Sequence, residues 1–280
     1  MFPGCDNERV RGSGALFIKR WFCIRVTAVL ALSLSGYIST ASAYSCAPDH
    51  IDETAAVEYV YDGDTIRLKD GRKLRLIGVN TPELGRDGAA PEAFAEAARD
   101  GLRTLLAPGE SVGLRFDTER HDKYGRTLAH VFLHSGVSIT AWLLEHGLGT
   151  TFPVPPNLWN LECYRFVEQD AEDQHRGIWA LEKYQSTGVD ALPPDASGYH
   201  IVHGRVNRAV LDKRFLRLEL ADKLVIRIDS DDLSFFGTEF SAKGPVFWSG
   251  KNLEVRGWLT RRGDRFYMRI RHPASLRILN

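Results

Sequence analysis

The chain has 280 residues, 44% of them hydrophobic and 26% charged, with a formal net charge of zero. This profile excludes a disordered or fibrous chain and fits a globular protein long enough for two domains. The neutral total hides two opposite halves: residues 44–197 carry a net −10 and residues 198–280 a net +7. An acidic half tied to a basic half fits divided labour, one part holding a cation and the other meeting a polyanion.

The first 43 residues read as a targeting segment rather than as fold. Lys19, Arg20 and Arg25 form a basic region, and the apolar run 26–38 that follows is too short to span a bilayer comfortably. Ala41-Ser42-Ala43 is a small-x-small cleavage signature. The expectation is a signal peptide cleaved after Ala43, a periplasmic or secreted protein, and no stable membrane association afterwards. A retained anchor is the weaker alternative. Lipid attachment at Cys46 is weaker still, because Tyr44 is bulky where such a site wants a small residue. Cys46 and Cys163 remain in the mature chain. An oxidising compartment would let them pair, and the sequence leaves a disulfide and two free thiols both open.

Residues 56–62 and 65–70 read as strands joined through Asp70-Gly71, a tight-hairpin signal, to a returning strand at 72–79. That strand must end before Pro82, which has no amide proton for a central ladder. A helix is expected at 91–106 with Pro91 in its first turn, then strands at 111–117 and 126–133. Helices follow at 138–148 and 158–177, each stopped by a glycine, Gly147 and Gly177. Their leucines and Trp142 fall at core spacing. His130 and His134 share strand parity, but no Cys or Glu cluster completes a zinc site, and they read as ordinary strand residues. Five strands with interposed helices fit a small barrel capped by three helices. Residues 186–198, rich in Pro, Gly, Ser and Asp, read as a linker.

Three stretches carry chemistry. Asp62-Gly63-Asp64-Thr65 sets two carboxylates around a glycine turn. Arg75 to Glu83, RLIGVNTPE, places an arginine within an apolar strand and a glutamate just past its end. Asp122 to Arg126, DKYGR, opens another strand with an arginine. Hard cations take oxygen ligands, and phosphodiester cleavage needs arginine forks on the phosphate and a base or orienting group for water. Taken singly, each stretch is an ordinary turn or surface ion pair.

In order and spacing the three resemble the signatures of the staphylococcal nuclease (thermonuclease-like) family over residues 55–182, closing at Gly177-Ile178-Trp179-Ala180. The resemblance implies a mainly β protein with α-helices, an OB-fold barrel of five strands, and a calcium-dependent phosphodiesterase acting on DNA, RNA or both. It implies that Arg75 and Arg126 grip the scissile phosphate, that Arg126 stabilises the leaving oxygen, and that Glu83 activates or orients water. Asp64, Asn80 and Thr81 would hold Ca2+, Thr81 through its carbonyl, and Lys123 and Tyr124 would lie beside the substrate. Two positions depart from the founding pattern. Asn80 stands in place of an aspartate, which removes a ligand charge and predicts a weaker calcium site. Residues 149–157 carry Phe152 where the pattern has two tyrosines against the substrate.

The C-terminal residues 199–280 alternate apolar and polar side chains through 215–220, 223–228, 252–259 and 265–271. With Gly-marked turns, they predict a second small all-β OB-like barrel. Arg256, Trp258, Tyr267, Arg269 and Arg271 fall on the polar face, where cations interleaved with aromatics suit single-stranded nucleic acid; a solvated exterior is the competing reading. The function expected is an exported nuclease, monomeric. The alternative is a nucleic-acid-binding protein that kept the barrel and lost its chemistry; retention of Arg75, Glu83 and Arg126 argues against it.

Overall fold

A computed structural model describes residues 46–85, 88–237 and 243–279. The expected leader lies outside the described residues. The first half runs β1 (Glu53–Val60), β2 (Thr65–Leu68), β3 (Lys73–Leu76), β4 (Gly78–Asn80), α1 (Ala95–Leu105), β5 (Ser111–Arg115), β6 (Thr127–Leu133), α2 (Ile139–Glu145), β7 (Thr150–Phe152) and α3 (Leu161–Asp173). Five of these strands close a barrel in the order β1-β2-β3-β6-β5, with β3 and β6 parallel. Inward alternation fills it with Ile66, Leu68, Leu74, Leu76, Val112, Leu114, Ala129 and Val131, all buried. Helix α1 buries Ala95, Ala98 and Leu102, spaced three and four apart, so one stripe packs on the barrel.

The strand expected over 72–79 is two strands. Gly78 adopts φ +85°, and a Cβ there would come within 2.8 Å of the Tyr164 ring. Only glycine permits both the turn and that approach. Val79 and Asn80 therefore leave the barrel and pair with Thr151 and Thr150, respectively, on β7. The helix expected from 91 starts at Ala95. Its run-in is held instead by a backbone hydrogen bond from Glu92 N to Glu83 O, 2.9 Å.

The second half runs β8 (Thr187–Gly188), β9 (Gly198–Leu211), β10 (Phe215–Leu220), β11 (Leu224–Asp229), β12 (Asn252–Arg262), β13 (Arg265–Arg269) and β14 (Leu276–Leu279). Strands β9-β10-β11-β13-β12 close on themselves through β12–β9, and β11 and β13 are parallel. This is the strand order of the first barrel, so the chain carries two barrels of OB topology. The stretch 186–198 is no free tether: Thr187 pairs with Val202, and Val189, Leu192 and Ala196 are buried in the second core.

The barrels meet along a seam. Ala171, Ile178, Trp179 and Tyr184 from the first half bury against Tyr199 and Ile201 of β9. A disulfide joins Cys46 to Cys163 on α3, with Cα atoms 5.8 Å apart. His130 is fully buried, its Nδ1 2.9 Å from Tyr164 Oη, and burial holds its pKa below the usual histidine value.

Candidate active site

The Asp62–Thr65 turn lies against Thr81 so closely that a Cβ on Gly63 would fall 2.6 Å from Thr81 Oγ1. Glycine is required there, and it brings the Asp64 carboxylate beneath the exit of β4. Asp64 Oδ2 accepts from Thr81 N at 3.1 Å and Thr81 Oγ1 at 3.2 Å, and Oδ1 accepts from Thr65 Oγ1 at 3.0 Å. Arg75 Nη2 lies 2.9 Å from Asp64 Oδ2. The same guanidinium donates to Leu76 O, Val79 O and Asn80 Oδ1 at 2.6, 2.8 and 3.1 Å. Arg75 is thus the counter-charge of the acidic turn and the peg on which β3 and β4 hang.

The donors present fit an oxygen-favouring cation. Asp62 and Asp64 supply carboxylates, Asn80 an amide oxygen and Thr81 a carbonyl. Burial and the neighbouring Asp64 charge push Asp62 above the usual carboxylate range. The pair thus resists carrying two negative charges beside the one Arg75 guanidinium, and a cation placed between the two carboxylates would favour ionisation of both. Among the described residues no cluster of three or more His, Cys, Asp or Glu side chains forms, so the amide and carbonyl oxygens are needed to complete a site. Asn80 Nδ2 donates to Thr81 O at 3.0 Å, which occupies one of those oxygens with an amide.

Arg126 is positioned by Asp122, whose Oδ1 accepts from Tyr124 N and Arg126 N at 2.9 and 3.0 Å while Oδ2 takes Arg126 Nε at 2.6 Å. Burial would raise the Asp122 pKa, but these bonds outweigh it and hold it below the usual range. Tyr124 is 73% exposed, with Lys123 Nζ 4.9 Å and Arg126 Cζ 5.7 Å from its ring centre. Glu83 is exposed, and its amide donates to Glu92 Oε2 at 3.0 Å. Glu92 is itself held by Lys183 at 2.9 Å.

The two acidic-turn carboxylates, both arginines, Asn80, Glu83 and the Asp122–Tyr124 turn open on one cleft of about 900 Å³. Arg75, Glu83, Arg126, Asp64, Asn80, Lys123 and Tyr124 line it from the first barrel, and Thr81 sits buried behind them. Arg256, Trp258, Tyr267, Arg269 and Arg271 line it from the second. The expected nucleic-acid face is therefore turned toward the candidate catalytic residues, but much of it is already engaged. Arg256 pairs with Glu172 at 3.1 Å, and Trp258 packs edge-on against Phe152 and Tyr199, 6.0 and 5.5 Å between ring centres. Arg269 pairs with Asp229 at 2.6 Å, and Arg271 with Asp232 at 3.2 Å. Phe152, which stands where the family pattern has tyrosines, lines the cleft and packs edge-on against Trp258 of the second barrel.

The sequence alone gives no site role to Asp122, which fixes Arg126, or to Glu168, which accepts from Thr151 N on β7. Asp122 carried a signal, an Asp two residues before a turn amide. Glu168 carried none, because a glutamate on an amphipathic helix ordinarily faces solvent.

A family model described as "Staphylococcal nuclease homologue" matches residues 73–181. The Thermonuclease of Staphylococcus intermedius is 35% identical over 134 residues, 45% of this chain and 76% of that protein. The Thermonuclease of Staphylococcus hyicus is 31% identical over 161 residues, 56% of this chain and 94% of that protein. Endonuclease YhcR of Bacillus subtilis (strain 168) is 31% identical over 134 residues, 44% of this chain, and the match spans only 11% of that larger protein.

Proposed function

The chain belongs to the staphylococcal nuclease homologue family, and from that premise we propose that it is an exported, calcium-dependent endonuclease hydrolysing phosphodiester bonds of DNA, RNA or both. The observation that carries the reading is that Arg75, Glu83, Arg126 and Asp64, far apart in the chain, line one cleft.

Arg126 and Lys123 attract the phosphate, and Asp122 fixes the direction in which the Arg126 fork presents itself. Glu83 lines the cleft with its amide bonded to Glu92, and in this reading its carboxylate accepts the proton of an attacking water. Water oxygen bonds to phosphorus, its proton passes to Glu83, and the opposite P–O bond breaks. Arg126 stabilises the charge on the leaving oxygen until solvent protonates it. Arg75, anchored on Val79 O and Asp64, contributes fixed positive charge at the cleft wall. Asp64, Asn80 and Thr81, with Asp62 beside them, would hold Ca2+, which when bound supplies positive charge against the phosphate oxygens. Export is supported by the disulfide between Cys46 and Cys163, a bond that persists in oxidising compartments.

The test is digestion of heat-denatured DNA and of RNA, with calcium and with EGTA. Cleavage that EGTA abolishes and calcium restores is expected. No cleavage under any metal would overturn the enzyme reading and leave a binding protein.

A further inference from the structure

Strands β12 and β13 present Thr260, Arg262, Tyr267 and Arg269 to the cleft, and across the ladder Thr260 pairs with Tyr267 and Arg262 with Arg265. Most cations of this wall are neutralised. Arg269 and Arg227 share Asp229, Arg271 is bound to Asp232, and Arg256 is bound to Glu172. Arg262 differs. It is exposed, its guanidinium lies over the Tyr267 ring at 5.5 Å, and among the described residues it pairs with no carboxylate. The first barrel contributes a like arrangement, with Lys123 over the exposed Tyr124 ring.

We propose that Arg262 and Tyr267 form a binding subsite, on the second barrel, for the polynucleotide strand that flanks the cleaved bond. Resting on the nuclease reading above, the subsite adds a second anchor to the same cleft. A base stacks on the Tyr267 face and an adjacent phosphate pairs with Arg262, while Tyr124, Lys123 and Arg126 hold the strand nearer the chemistry. The ligand class follows from the side chains: an anion with a π-face, repeated along a chain, and with its bases unpaired so that a ring can reach them. Charge favours the same assignment, since the net −10 of residues 44–197 repels a polyanion except at its arginines and the net +7 of residues 198–280 attracts it.

The experiment is a fluorescence titration of a labelled single-stranded oligonucleotide with the full-length mature protein in EGTA, where binding is read without turnover. Arg262→Ala should weaken binding about tenfold and make the salt dependence shallower by about 0.7 in log–log slope, one phosphate contact on a single strand. Tyr267→Ala should weaken it about tenfold by loss of stacking, and Tyr267→Phe, which keeps the ring and packs alike, should restore it. Unchanged affinity and salt slope in Arg262→Ala, or equal weakening by Tyr267→Phe and Tyr267→Ala, would overturn the subsite. Cleavage of the same oligonucleotide by the wild type in calcium separates the two readings. Binding that depends on Arg262 without any cleavage sinks the nuclease reading alone, and cleavage with binding indifferent to Arg262 sinks the subsite alone.

Discussion

Arg256 on β12 donates from Nη1 to Glu172 Oε2 on α3 at 3.1 Å and lies 4.0 Å from Glu168 Oε2, so an ion cluster joins the second barrel to the first. Glu168 is fully buried and accepts from Thr151 N at 2.6 Å. Thr151 pairs with Val79, next to Asn80. A side chain of the second barrel therefore props the strand that carries a candidate cation donor.

Removing Arg256 leaves Glu168 buried without its cation. Arg256→Met should cost about 3–5 kcal/mol of unfolding free energy, the penalty for breaking a buried pair from one side. Chemical denaturation of the variant and wild type measures it, and a loss within error of zero would show the cluster to be solvated.

Burial pushes the Glu168 carboxyl above its ordinary value of 4.5, against the pull of Arg256 and the Thr151 amide. The folded state thus holds this proton more tightly than the unfolded chain does. Its contribution to stability is fully present below the ordinary value and is lost as pH rises through the raised one. Relative to Glu168→Gln, the wild type should lose stability as pH rises above the ordinary glutamate value of 4.5. A difference between the two proteins that does not vary with pH would refute the shift.

Asn80 donates to Thr81 O and accepts from Arg75, so its amide is engaged on both sides. Asn80→Asp cannot make the first bond, and it adds a carboxylate beside Asp64. It should lower the calcium concentration needed for half-maximal activity and raise the melting temperature more steeply with added calcium. If the variant needs as much calcium and gains no more thermal protection, Asn80 lies outside the cation site.

Arg126→Ala should reduce kcat on the order of 10²-fold or more, since its charge is asked to act on the leaving oxygen. Asp122→Asn should reduce it less, because an amide can still accept from the Tyr124 and Arg126 backbone but pairs poorly with the guanidinium. Near-normal turnover of a folded Arg126→Ala protein would remove that residue from the mechanism.

The disulfide closes a sequence separation of 117 residues. Chain-entropy reasoning gives such a loop about 4–5 kcal/mol. Cys46→Ser with Cys163→Ser should lower the melting temperature accordingly, and the wild type in reductant should follow it. Equal melting with and without reductant would show that the bond does not form.

The local part of this protein was legible in its residues. Alternation placed a strand at 215–220, where β10 runs from Phe215 to Leu220, and Asp70-Gly71 marked the turn into β3. The motif residues Arg75, Glu83 and Arg126 do converge on one cleft. Such signals are short-ranged: a pleat fixes which side chains share a face, and a turn fixes where the chain reverses. What covers a face is a tertiary matter. The break in 72–79 depends on Tyr164, more than eighty residues away, pressing on Gly78. Arg256 stood on a polar strand face with other arginines, yet Glu172, 84 residues earlier in the chain, draws it into the seam. Residues 186–198 carry the composition of a linker, yet Thr187 pairs with β9 and Val189, Leu192 and Ala196 are buried in the second core. Periodicity distinguishes inside from outside for one element, but a long-range partner can bury an outside face, and only the packed chain decides which partner arrives.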